Sequence, residues 1–215
     1  MIRVTRFELL TPKFVLLYLY LASVAYVHLR GRERLPFGRH AFFAPYNVLM
    51  YAFSKLPIRP FVDVSALPEV SPLRDNWRMI RDEALAVYEN GNVPASGECT
   101  DAFFAALLKR GWSRFQLKWY GDPLPSARQL CPRTVELIES IPEIRAAAFT
   151  IVPPGGVVDK HRDPLASCIR YHLGLSTPNS DDCRILVDGQ PYAWRDGEDV
   201  AFDETYVHWV RNDTD

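Results

Sequence analysis

The chain opens on an unbroken apolar run. Residues 14–27 (FVLLYLYLASVAYV) hold no charged or strongly polar side chain, and His28 and Leu29 extend the run. A bilayer-crossing helix needs about 20 apolar residues, with about 17 as the lower limit, so this stretch predicts a membrane-anchoring helix. A secretory signal peptide shares the outline, but no small-residue cleavage site precedes the block Arg30-Gly31-Arg32-Glu33-Arg34. A buried core helix is a further reading of the same run. A second apolar stretch, 41–53, is rich in aromatic residues, interrupted by Pro45 and Asn47, and too short to span. It predicts an interfacial or re-entrant segment with rings at headgroup depth. Residues 1–56 thus read as a membrane-associated head.

Beyond the head, Pro57, Pro60 and Pro68 make 57–70 an extended linker. Ser71-Pro72 supplies an N-cap followed by proline in the first turn. Leu73, Trp77, Ile80, Ala84 and Tyr88 then recur at helical spacing until Gly91. Further helices are predicted over 101–109 and 133–140, with a strand over 115–120 between them. After Ile144 the pattern turns to short strands, over 145–152, 157–161, 167–175, 184–187, 190–194, 200–202 and 206–210. Pro153-Pro154-Gly155-Gly156 is a tight break and Asp188-Gly189 a two-residue hairpin turn. Helices first and many short strands after predict an α+β, mostly β body over 71–215, built as a sandwich or jelly-roll barrel.

Charge sharpens this division. Residues 1–40 hold seven Lys or Arg against two Asp or Glu, a net +5, which leaves −6 for the rest of a 215-residue chain whose total is −1. A pI of about 6.5 argues against a general nucleic-acid binder. The basic block after the apolar run points the body to the cytoplasm by the positive-inside rule, although Arg3, Arg6 and Lys13 flank the other side. Cys99, Cys131, Cys168 and Cys183 form no CxxC and suit neither a zinc knuckle nor a dense disulfide framework, so they read as isolated thiols.

Chemistry concentrates in the strand-rich part. In His161-Arg162-Asp163 the first and third side chains of an extended segment share a side, and His208 lies on a later strand. Two histidines and a carboxylate make a facial triad suited to non-haem Fe(II), which leaves positions open for a co-substrate and oxygen. In residues 168–175 (CIRYHLGL) alternation sets Arg170, His172 and Gly174 on the face opposite Ile169, Tyr171, Leu173 and Leu175. An Arg and a His projecting together form an anion site of the kind that grips a small carboxylate. Residues 202–208 (FDETYVH) offer a turn that presents His208.

From Thr150 to Asp215 the chain resembles the aspartyl/asparaginyl β-hydroxylase family of Fe(II)- and 2-oxoglutarate-dependent oxygenases. The carrying motifs are VPPGGVVDKHRDP, RYHLGLSTP, VDGQPYAWRDGE and FDETYVHWVRNDTD. The head with HLRGRER, the segment APYNVLMYAFSKLP and the helix opening PLRDNW resemble one branch, the bacterial hydroxylases of the 2-position of a lipid A acyl chain. The resemblance implies a double-stranded β-helix (jelly-roll) oxygenase core preceded by helices and a membrane anchor. It implies a body on the cytoplasmic face of the bacterial inner membrane, with Fe(II) as cofactor and 2-oxoglutarate and O2 as co-substrates.

Carried over by motif, His161 and His208 match the iron-binding histidines, and Arg170, His172 and Thr150 match residues that contact 2-oxoglutarate. Animal protein-hydroxylating members have glycine where this chain has Asp163, which therefore either completes the iron ligands or holds a metal-bound water or His161 in place. Family members also place an arginine about ten residues beyond the second histidine. This chain stops seven residues after His208, so the expectation is that this arginine and the last strand are missing. Rival readings are hydroxylation of peptidyl Asp or Asn, and a catalytically inactive binding protein on the same scaffold.

Overall fold

Pro12 starts the first helix because a proline at the first helical position forfeits no intrahelical hydrogen bond. The computed structural model describes residues 11–91 and 112–215, so the helix expected over 101–109 lies outside the described residues. Helix α1 runs Pro12–Leu29, and the Arg30 N–H closes it on the Tyr26 carbonyl at 3.0 Å. Its 18 residues reach about 27 Å at about 1.5 Å per residue, and it is long and apolar enough to cross a membrane. Only Ser23 and Val27 are buried, while Leu16, Leu17, Leu19 and Leu21 are exposed. The second apolar stretch forms helix α2 (Arg39–Phe42) and helix α3 (Ala44–Phe53). Pro45 sits in the first turn of α3, where it is tolerated, so the residue expected to interrupt the stretch helps to start a helix. Val27, Ala44 and Tyr51 bury together between α1 and α3.

The helix expected from Ser71 to Tyr88 is two helices, α4 (Ser71–Asp75) and α5 (Trp77–Glu89). Asn76 breaks them apart: its backbone N–H and its side-chain amide both donate to the Pro72 carbonyl, at 3.1 and 2.9 Å. Ser71 is not the N-cap; it lies within α4 and its hydroxyl donates back to Pro68 O. Helix α6 (Pro125–Leu130), too short to show a period, was not expected, and α7 (Pro132–Glu139) matches the helix over 133–140. Helices α5, α6 and α7 bury Ile80, Val87, Ala127, Val135 and Ile138 against Phe115 and Leu117 of strand β2 (Ser113–Trp119).

Every strand pairing among the described residues is antiparallel, in three sheets. Strand β2 pairs with β3 (Ala146–Ile151). The segment expected as a plain linker supplies β1 (Phe61–Val62), which joins β8 (Asp199–Phe202) and β5 (Arg170–Leu173) in the order β1-β8-β5. The third sheet is β4-β9-β6-β7, from β4 (Val157–His161), β9 (His208–Asn212), β6 (Cys183–Val187) and β7 (Gln190–Ala193). Asp188 and Gly189, both at positive φ, close the β6–β7 hairpin as their sequence predicts. Val158, Ile185, Val187, Phe202, Tyr206 and Val210 form a buried cluster spanning the last two sheets. The result is a mixed helix-and-sheet architecture with antiparallel sheets behind an apolar N-terminal helix.

Candidate active site

Register brings the two histidines together. His161 ends β4, His208 begins β9, and the two are directly paired across the antiparallel ladder. Their ring centroids are 4.2 Å apart at an interplanar angle of 55°. Each ring is fixed in the same way, by a carbonyl two residues upstream: His161 Nδ1 lies 2.9 Å from Asp159 O, and His208 Nδ1 lies 3.0 Å from Tyr206 O. A carbonyl oxygen can only accept, so both Nδ1 atoms carry a proton, which in a neutral ring leaves the lone pair on Nε2, the form that ligates a metal. His208 is buried, and that burial, with His161 beside it, pushes its imidazole down to about 4. It is neutral at neutral pH, as a ligand must be.

On β5, Arg170 and His172 share a face as alternation predicts. Both look across to β8, in register with Phe202 and Val200. The Phe202 ring stands between the sites: its centroid is 5.1 Å from His172 edge-on and 5.6 Å from His208. Desolvation, then the nearby Arg170 and His208, push His172 down to about 3. Gly174 permits the close approach of 193–198, because a Cβ there would collide with the Arg195 carbonyl.

The Arg170 guanidinium already grips carboxylates. Its Nε donates to Glu204 Oε2 at 2.7 Å, its Nη2 also contacts Glu204, and Nη2 lies 3.5 Å from Asp163 Oδ2. The sequence reading gives Glu204 no role, although a carboxylate inside a turn leading to a candidate ligand is a usable signal. Burial, with Asp163 adding to it and Arg170 opposing, pushes Glu204 up to about 7. Asp163 N–H donates to Glu204 O at 2.9 Å, which ties the loop after β4 to the turn before β9.

The structure therefore converges two imidazoles and turns Asp163 towards Arg170. Among the described residues no group of three His, Cys, Asp or Glu side chains is arranged to hold a metal. Two imidazoles on adjacent strands are donors of the kind that iron takes. Thr150 is exposed on β3, in the β2–β3 sheet. An open cavity is lined by Lys118, Tyr120, Gly121, Arg145, Ser167 and Cys168, and none of the candidate site residues lines it.

The sequence profile of the aspartyl/asparaginyl beta-hydroxylase family matches residues 74–215. The chain is 28% identical over 165 residues to the ornithine lipid ester-linked acyl 2-hydroxylase of Rhizobium tropici, covering 76% of this chain and 59% of that protein. It is 32% identical over 149 residues to the human aspartyl/asparaginyl beta-hydroxylase, covering 67% of this chain and 19% of the relative. With human aspartate beta-hydroxylase domain-containing protein 2 the identity is 34% over 163 residues, covering 71% and 42%. The chain thus spans less than two thirds of the length of each of these relatives.

Proposed function

The chain belongs to the aspartyl/asparaginyl beta-hydroxylase family, and from that membership we propose that it is an Fe(II)- and 2-oxoglutarate-dependent dioxygenase hydroxylating the 2-position of a lipid A acyl chain. The observation that carries this reading is the convergence of His161 and His208, each with its Nδ1 proton committed to a carbonyl. In this reading His161 and His208 hold iron, Asp163 either completes the iron ligands or holds a metal-bound water or His161 in place, and Arg170, His172 and Thr150 receive 2-oxoglutarate. The two antiparallel sheets β1-β8-β5 and β4-β9-β6-β7 are read as the faces of a double-stranded β-helix. Iron, when bound, supplies the activation of O2 that an unactivated C–H bond requires.

The chain's own contribution is orientation and charge. The carbonyls of Asp159 and Tyr206 hold the imidazoles in one tautomer. Desolvation keeps His172 and His208 neutral. Arg170 binds carboxylates in this structure, those of Glu204 and Asp163, and a diacid co-substrate offers it the same chemistry.

A lipid substrate is supported by the Rhizobium relative, named for 2-hydroxylation of an ester-linked acyl chain, and by the exposed apolar surface of α1, which suits a bilayer. Arg30, Arg32, Arg34 and Arg39 after α1 favour an inner-membrane protein with its body in the cytoplasm. The human aspartyl/asparaginyl beta-hydroxylase favours a second reading, hydroxylation of peptidyl Asp or Asn.

The test uses the full chain with Fe(II), 2-oxoglutarate and either lipid A or an Asp/Asn peptide. Succinate release with gain of one oxygen atom on the acyl chain, read by mass spectrometry, is expected. Turnover of peptide alone selects the second reading, and no succinate with either leaves an inactive scaffold. His161→Ala and His208→Ala are each expected to abolish Co(II) uptake, read by visible absorption. Asp163→Gly is expected to keep it, because the imidazoles converge without that carboxylate; loss would make Asp163 an obligatory ligand.

A further inference from the structure

The apolar head is fastened to both of the loops that adjoin the histidines. On the His208 side, the Arg30 side chain is only 6% exposed and pairs with Asp203, 8% exposed, at 3.2 Å. It also contacts Thr205 Oγ1, and its guanidinium lies between two rings, 4.2 Å from the Tyr51 centroid and 4.0 Å from that of Tyr206. The Tyr51 hydroxyl, from α3, meets Thr205 Oγ1 at 2.7 Å. Asp203 Oδ1 in turn accepts from Thr205 N–H at 2.9 Å, and Asp203 O from Tyr206 N–H at 3.1 Å. Tyr206, whose ring covers Arg30, is the residue whose carbonyl holds His208 Nδ1.

The His161 side is braced separately. Asn47 of α3 is fully buried; its amide donates to Pro164 O at 2.8 Å and its oxygen accepts from Ala166 N–H at 2.9 Å. One side chain thus substitutes for a strand partner along the loop that follows His161. Arg162, next to that histidine, reaches back to the Val27 carbonyl at the end of α1 at 3.3 Å, and Lys160 pairs with Glu33 at 2.6 Å.

We propose that Arg30 and Asn47 are positioning residues for the metal site, acting through Tyr206 on His208 and through the 164–166 loop on His161. The seated head is then part of the site's scaffold and not only its tether. A tether needs no buried ion pair with the body, no aromatic sandwich around it and no fully buried amide spanning a loop. This inference rests on the iron-site reading above.

The test takes the full chain in detergent and follows two signals: Co(II) affinity by visible absorption, and amide hydrogen exchange of 162–166 and 203–208 without metal. Arg30→Gln and Asn47→Ala are expected to weaken Co(II) binding by about 10- to 100-fold, as loss of groups that orient ligands does, with faster exchange in the loop each one holds. Tyr51→Phe keeps the ring on Arg30 and removes one oxygen, so it serves if Arg30→Gln does not fold; a smaller weakening in the same direction is expected. The exposed Lys55, changed to Gln, is the control and should bind as the parent does. Folded variants with parental Co(II) affinity and parental exchange overturn the proposal and leave the head as a tether. Failure of the parent itself to take up Co(II) overturns the iron reading instead, and unaltered exchange in the variants would then overturn the coupling independently.

Discussion

His40 shows how a single buried side chain sets a pH dependence. It is 6% exposed, its Nε2 has no hydrogen-bond partner, and its ring stacks 6.2 Å from that of His28. Burial first, then the charges of Arg162 and His28, hold its imidazole below the ordinary 6.5. With the native value depressed, protonation favours the unfolded chain. Well above pH 6.5 the ring is neutral in both states and costs nothing; as the pH falls through 6.5 the unfolded chain takes a proton that the folded one refuses. Stability should therefore fall as pH drops from 7.5 to 5.5, with His40 contributing at most about 1.4 kcal/mol per pH unit. Urea denaturation at several pH values should show a shallower slope for His40→Gln; an unchanged slope would remove His40 from the account. The residues legible from sequence at this scale are those with distinctive chemistry in a short pattern, His161, Asp163, Arg170, His172 and His208. Glu204, Arg30 and Asn47 are not among them, because each acquires its role from partners on other elements, far along the chain.

Among the elements, α7 depends on a carboxylate from another helix. Its N-cap residue, Cys131, makes no side-chain cap, and Glu83 of α5 does the work instead. Glu83 accepts from Arg133 N–H at 3.1 Å, from Thr134 N–H at 2.8 Å and from the Thr134 hydroxyl at 2.6 Å. An anion at a helix N-terminus satisfies otherwise orphaned donors and opposes the dipole. Glu83→Ala should destabilise the protein by about 1–3 kcal/mol, since the donors are left unmade, and Glu83→Gln by less. A denaturation midpoint unchanged by Glu83→Ala would show that water replaces the carboxylate without loss. The strands after Ile144 were legible because period-two alternation and turn residues are local signals, and β4 falls on the residues expected. The break at Asn76 was not, because a helical period continues across it and only the competition for one carbonyl decides the matter.

For the whole molecule, the apolar surface of α1 predicts a membrane-bound protein. Leu19 and Leu21, in the middle of the helix, are 62% and 52% exposed among the described residues. A lysine near the middle of a spanning helix costs about 3 kcal/mol, so Leu19→Lys with Leu21→Lys should move the full chain from the membrane pellet towards the soluble fraction. A double variant that pellets like the parent after ultracentrifugation would show that another segment holds it.

The sequence by itself determined the apolar head, the change from helical to strand periodicity, the Asp188-Gly189 turn and the residue types able to bind a metal and an anion. All of these depend on side chains within a few positions of one another. Tertiary structure alone decided that β1 comes from the presumed linker, that His161 meets His208 in register, and that Asp163 turns to Arg170. It alone decided that Arg30 lies under Tyr206. Those outcomes depend on which groups satisfy buried charges and backbone donors once distant segments pack. That choice is made by the whole fold because an unpaired buried charge costs more than any local preference supplies.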